Sequence, residues 1–238
     1  MTAAVAPIKR RGQADSARSL VAVASVAPAL SNELVMISEP AGARAEAIRA
    51  LRTYIMTQHV QGGRRALAIC GASIDVGCTF VAANLAVALS QIGLKTLLID
   101  GDLRRPAVDG LIRPVRSSIG LQQFLASADM DISEAIEAEV TPNLSVLHAG
   151  GPASNPQELL ASSRFEDLME VCMRDYDMTI VDTPPANLCA DARRIGNVAG
   201  YALVVARRNR SLIDDVKTLV GELEGDHVHV VGSVLNEA

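Results

Sequence analysis

The stretch ALAICGASIDVGCTFVAANLAVALSQIGLKTLLIDGD, residues 66–102, decides the fold. Its apolar run at 66–70 reads as a strand, and a loop of small residues, 71–79, leads straight into a helical pattern at 79–92. A second apolar run, 95–100, ends in Asp100-Gly101-Asp102. A strand, a flexible loop and a helix start together make an anion site. Successive backbone N–H groups converge on phosphate oxygens at the positive end of the helix. Gly77 and the Thr79 hydroxyl meet those demands. The full phosphate-loop pattern asks for lysine before the Ser or Thr, and here that residue is Cys78.

Outward from this stretch, apolar runs alternate with helical patterns. Strands are expected at 144–148, 178–182, 201–206 and 228–235, and helices near 121–125 and 133–138, over 156–174 and over 212–224. Six strands separated by helices imply right-handed crossovers. The fold class is α/β: a doubly wound, mostly parallel sheet with helices on both faces. Composition agrees, with 49% hydrophobic residues, no tryptophan and only three phenylalanines and three tyrosines, so the core is aliphatic. Residues 1–40, rich in alanine, proline and small polar residues, read as a flexible leader. Residues 43–58 have amphipathic spacing, with Ile48, Leu51 and Ile55 on one face. A single domain is expected over 41–238, within the size of one core.

A net charge of −5 offers nucleic acid no electrostatic attraction, and no aromatic residues interleave with the short arginine clusters. Cys70, Cys78, Cys172 and Cys189 form no CxxC pair, which suits a reducing compartment. No apolar run approaches the ~20 residues of a membrane span. Residues 20–30 follow the basic stretch Lys9-Arg10-Arg11, but Gln13, Asp15 and Arg18 interrupt a signal-peptide reading. A cytoplasmic chain is expected.

Asp100 and Asp102 fall just past a strand's C-terminal end, where α/β ligands bind. There they can hold Mg²⁺ directly or through water, or accept a proton from a hydroxyl. The run Thr179-Ile180-Val181-Asp182-Thr183-Pro184-Pro185 places a third carboxylate after an apolar strand. Strand-end aspartates also cap turns, but two such ends beside a phosphate loop favour the metal-and-nucleotide reading.

These segments resemble the bacterial tyrosine kinases that govern capsule and exopolysaccharide synthesis, within the superfamily of partitioning and division-site P-loop ATPases. The likeness is carried by GCTFVAANLAVALSQIGLKTLLIDGDLRRP (77–106), GPASNPQELLASSRF (151–165), YDMTIVDTPP (176–185) and VVGSVLN (230–236). It implies ATP or ADP with Mg²⁺, contacted by Ala72, Val76, Gly77, Cys78, Thr79 and Phe80, with Asn236 near the adenine. It further implies Thr79, Asp102 and Asp182 toward the metal, and Asp100, with Asp102 beside it, as the base facing a tyrosine hydroxyl. Glu46, Arg49 and Arg52 match an ExxRxxR motif that implies self-association. A membrane polysaccharide co-polymerase is the implied partner, holding the chain peripheral to the inner membrane.

Two departures set the functional expectation. A cysteine at position 78 cannot carry a lysine's charge. Losing that charge-assisted contact weakens phosphate binding by roughly 1.5–3 kcal/mol and slows transfer by on the order of a hundredfold. A thiol at a helix N-terminus is also expected to have a lowered pKa. Arg104, Arg105 and an arginine from a partner are the candidates to replace the missing charge. Moreover, the sequence ends Asn236-Glu237-Ala238 without the family's tyrosine cluster, while Tyr54, Tyr176 and Tyr201 read as structural. A regulator with a degenerate nucleotide site is therefore expected, against the alternative of an active ATPase or tyrosine kinase with a substitute cation. A partitioning ATPase fits less well, because Ala72 and Ser73 stand where those proteins carry an early loop lysine.

Overall fold

A computed structural model of the chain describes residues 29–115 and 119–237. Seven strands form one sheet: β1 (Ala66–Gly71), β2 (Thr96–Asp100), β3 (Glu137–Thr141), β4 (Leu144–Leu147), β5 (Met178–Asp182), β6 (Tyr201–Arg207) and β7 (His229–Asn236). Their order is β3-β4-β2-β5-β1-β6-β7. Every pairing is parallel except β3 with β4. The central strands β1, β2, β4 and β5 are buried along their whole length, as strands covered on both faces must be.

Two aliphatic cores cover the two faces. The helix Cys78–Ser90 is buried on all sides from Val81 onward. It lies between the sheet and the helix Ala43–Gln58, whose Ala45, Ile48 and Ile55 face inward. Its run of alanines (Ala82, Ala83, Ala86, Ala88) gives strong helix propensity and lets both neighbours approach closely.

Four expectations need correction. Residues 137–138, read as the end of a helix, belong to the antiparallel strand β3; the helix is only Ile132–Ala135. A tight turn at Asn143, in the left-handed region at φ 63°, folds β3 back on β4, so the sheet gains a seventh, antiparallel edge strand. The helix expected over 156–174 is two helices, Pro156–Ala161 and Ser163–Asp175, parted by Ser162 in extended conformation. A helix at Asp191–Ala199 was not anticipated. Of the leader expected over 1–40, residues 1–28 lie outside those described. From residue 29 the chain is docked, with Leu34, Val35 and Met36 fully buried. It holds there because the buried Asn84 accepts from the Met36 N–H at 3.3 Å and donates to the Glu33 carbonyl at 3.0 Å. Leu30 also bridges Ile112.

No helix among the described residues is long and apolar enough to cross a membrane.

Candidate functional site

Parallel register brings the chemistry to one end of the sheet. Ile69, two residues before β1 ends, pairs with Asp182, and Asp182 pairs with Asp100 of β2. The loop leaving β1 and both aspartate ends thus meet where the connections diverge, the crevice that α/β folds offer to ligands.

A cavity of about 320 Å³ opens there. One wall is the loop and helix start, Ser73 through Phe80; another includes Asp102, Arg105 and Ala107. The backbone of the loop is tightly specified. Gly77, which precedes the helix, has φ 95°, and a Cβ there would collide with the Asn236 amide. A Cβ on Gly71 would meet Cys78 Sγ at 2.7 Å. Because Gly77 provides no side-chain cap, the first helical amides are left to an outside acceptor, as a phosphate-binding loop requires.

Asp182 is buried and accepts from the Thr183 N–H at 3.1 Å. The Thr79 side chain hydrogen-bonds to it. Burial first, then the neighbouring Asp100, pushes the Asp182 carboxyl well above the usual range. Burial likewise lifts Asp100 to about 6, against the pull of its backbone donors. Two carboxylates crowded in a dry site create a demand for a cation. Among the described residues no three metal-binding side chains converge as a ready-made cage.

The anticipated residues divide into two groups. Val76, Gly77, Cys78, Thr79, Phe80 and Asp102 all line the cavity. Asp102 fixes its own turn, one carboxylate oxygen accepting from the Arg104 and Arg105 N–H groups at 3.0 and 2.9 Å. Asn236 reaches over the loop from the end of β7, its amide donating to the Val76 carbonyl at 3.0 Å. Ala72, Asp100 and Asp182 are not on the cavity wall. Asp100 is wholly buried and faces the backbone: its carboxylate accepts from Asp102 at 3.2 Å and from Ala107 and Val108, both at 3.1 Å. The Cys78 thiol also departs from expectation. Burial, reinforced by Asp182 and Cys70, pushes its pKa well up, overriding the helix N-terminus that was expected to lower it. It is a neutral thiol folded against Gly71, not a thiolate.

Several participants were not singled out by sequence. Glu33 lines the cavity from the docked segment, and Thr183 and Pro185 do so from beyond β5. Asp75, at the tip of the loop with φ 55°, is clamped by Arg210 at 2.8 Å, and its carbonyl accepts from Arg207 at 2.9 Å. Only the loop position of Asp75 was a usable signal, since its partners lie more than 130 residues away. On the helix Ala43–Gln58, Arg49 pairs with Glu46 at 3.0 Å and donates to the Pro40 carbonyl. Arg52 turns inward to the Ala88 carbonyl at 3.3 Å.

Comparison with known proteins matches this architecture. The family model described as an AAA domain matches residues 65–217. Tyrosine-protein kinase etk of Escherichia coli (strain K12) is 35% identical over 200 residues, covering 84% of this chain and 27% of that protein. Tyrosine-protein kinase wzc of Salmonella typhimurium is 33% identical over 205 residues, covering 86% and 28%. The chain therefore spans little more than a quarter of these curated relatives. Among solved structures, the kinase domain of Escherichia coli tyrosine kinase ETK superposes with a TM-score of 0.80 at 34% identity, covering 85% of this chain and 79% of that one. The septum site-determining protein MinD of Pyrococcus horikoshii, complexed with Mg-ADP, shares the fold at a TM-score of 0.61 and 22% identity, over 72% and 69% of the two chains.

Proposed function

The chain belongs to the AAA-domain family and, within it, to the P-loop domains of bacterial tyrosine-protein kinases, and on that premise we propose that it is a nucleotide-binding regulator of capsule or exopolysaccharide polymerisation and export. It works beside a membrane co-polymerase at the inner face of the inner membrane, and not as a self-sufficient kinase. One observation carries the reading: the cavity keeps its loop, its hydroxyl and its carboxylates, while the position that should carry the catalytic charge holds a neutral, inward-folded Cys78.

In this proposal the amides of the helix start take the phosphates of ATP or ADP. Thr79 and Asp182 hold Mg²⁺, with Asp102 acting through its waters, and Asn236 stands near the adenine. Bound Mg²⁺ supplies charge neutralisation to the crowded carboxylates. Asp100, occupied by three backbone donors, positions the 102–108 turn and takes no proton from a substrate. Self-association through Glu46 and Arg49 is part of the proposal. Arg52 enters it only by leaving its Ala88 carbonyl.

Calorimetric titration with Mg-ATP, followed by a hydrolysis assay, tests this reading against Cys78→Lys and Asp182→Ala. Binding by the natural protein without turnover, and turnover gained by Cys78→Lys, is the expected result. Turnover by the natural protein that Asp182→Ala abolishes would establish an active enzyme instead. Absence of binding in both the natural protein and Cys78→Lys would remove the nucleotide from the proposal.

A further inference from the structure

Resting on that reading of the cavity as a nucleotide site, we propose that Arg105 supplies the phosphate-binding charge that the loop position of Cys78 does not. The argument begins with the inventory of cations. Arg105 is the one Lys or Arg on the cavity wall among the described residues. The other arginines nearby are committed. Arg104 forms a two-point pair with Asp191 at 2.7 and 3.2 Å. Arg207 and Arg210 brace Asp75, and Arg208 pairs with Glu237 at 3.2 Å. The Arg105 guanidinium has no carboxylate or carbonyl partner among the described residues, so it reaches a ligand without first giving up a bond.

Its backbone is held while its head is free. The Arg105 N–H donates to the buried Asp102, so the side chain starts from a fixed point beside the proposed metal carboxylate. Charge balance points the same way. Three carboxylates line the cavity, Glu33, Asp75 and Asp102, and Arg210 neutralises only Asp75. An anionic ligand entering without Arg105 would meet two uncompensated negative charges and a neutral thiol. A guanidinium presents a planar fork that grips two phosphate oxygens, which an ammonium point charge does not reproduce. The ligand class this selects is a nucleoside di- or triphosphate, its phosphates held by the loop amides and its charged side-chain contact made from the 102–107 wall.

The test measures Mg-ADP affinity by calorimetry for the natural protein, Arg105→Ala, Arg105→Lys and Cys78→Lys, and for Cys78→Lys combined with Arg105→Ala. Arg105→Ala is expected to weaken binding about ten- to a hundredfold, the worth of one charge-assisted contact, with Arg105→Lys intermediate. In the Cys78→Lys background the same substitution is expected to cost less than about threefold, because the loop then carries its own charge. Unchanged affinity in Arg105→Ala, or an equal loss in both backgrounds, would overturn the inference and leave the nucleotide reading standing. Binding by Cys78→Lys but not by the natural protein would also overturn it, since Arg105 would then have failed to compensate. If neither binds, the reading of the cavity itself fails. Melting temperatures without nucleotide serve as the folding control; the exposed Arg105 side chain should leave them unchanged.

Discussion

Asp100 and Asp182 stand in register at the C-terminal ends of the neighbouring strands β2 and β5, two buried carboxylates on one rung of the sheet. Burial raises both carboxyls most strongly; the neighbouring Asp100 adds to the rise at Asp182, and Asp102 adds to the rise at Asp100. Such groups hold their protons more tightly in the folded state than in the unfolded chain. Their contribution to stability is therefore whole below the ordinary carboxyl value of 3.8, and it is lost as pH rises through about 6 for Asp100 and further for Asp182.

Asp182→Asn should accordingly stabilise the apo protein at pH 8, and much less at pH 4. At about 2–4 °C per kcal/mol for a chain of this size, the gain is readable by calorimetric melting. The same variant should lose the Mg²⁺-dependent part of nucleotide binding. A destabilisation that is the same at both pH values would show that the aspartate pair carries no such strain.

The state of Cys78 gives a second prediction, read by alkylation. All four thiols have raised pKa values, Cys70 and Cys172 to about 12, with burial as the first cause in each. Each unit of rise removes nine-tenths of the reactive thiolate. In native protein at pH 7.5, iodoacetamide should modify Cys189, a partly exposed thiol, before any other. Cys78 lines the cavity but its pKa is pushed well up, so it should react more slowly than Cys189. Peptide mass mapping gives the order, and early labelling of Cys78 would mean that its thiol faces the cavity as a thiolate.

The sheet and its binding edge were legible because their signals are local. A five-residue apolar run ending in aspartate needs no partner to be recognised, and Gly77 marks its own left-handed turn. What was missed is long-range or short. Glu137 and Ala138 have helical propensity, and only the turn at Asn143 and pairing with β4 make them a strand. The helix Asp191–Ala199 spans only about two and a half turns, although Asp191 in its first turn and Gly200 after its end were readable boundaries. The docked segment at 29–38 has too little periodicity to declare itself. Its attachment depends on Asn84, some fifty residues away, a residue that reads locally as a weak point in a helix.

The Arg104–Asp191 pair joins the turn after β2 to the helix after β5, and it predicts an asymmetric response. Asp191 is buried and Arg104 is partly exposed, with side chains 1% and 38% accessible. Removing the arginine leaves a buried charge unpaired, whereas removing the carboxylate leaves a cation that can turn to water. Arg104→Ala should therefore cost more than Asp191→Ala, about 2–4 kcal/mol against about 1–2. Urea unfolding of the two variants and of the double variant gives the comparison. Equal costs would mean that the pair acts as an ordinary surface bridge.

Asn84 gives the last prediction, because one side chain ties the segment before the first long helix to the phosphate-loop helix. Its amide serves the Met36 N–H in a buried bond and the Glu33 and Phe80 carbonyls in partly buried ones. Asn84→Leu keeps approximate volume but leaves the buried Met36 N–H without a partner, at about 1–3 kcal/mol, while the Glu33 carbonyl keeps the Val35 N–H at 2.9 Å. The loss should be local before it is global, since Leu34, Val35 and Met36 can leave the surface while the sheet remains paired. Amide hydrogen exchange in Asn84→Leu should accelerate sharply over 31–38, with β1 and β5 keeping their protection. Because Glu33 then withdraws from the cavity wall, Mg-ADP affinity should rise by a few fold as one uncompensated carboxylate departs. Uniform loss of protection, or nucleotide affinity that falls with the segment's release, would show instead that the docked segment is an integral part of the binding wall.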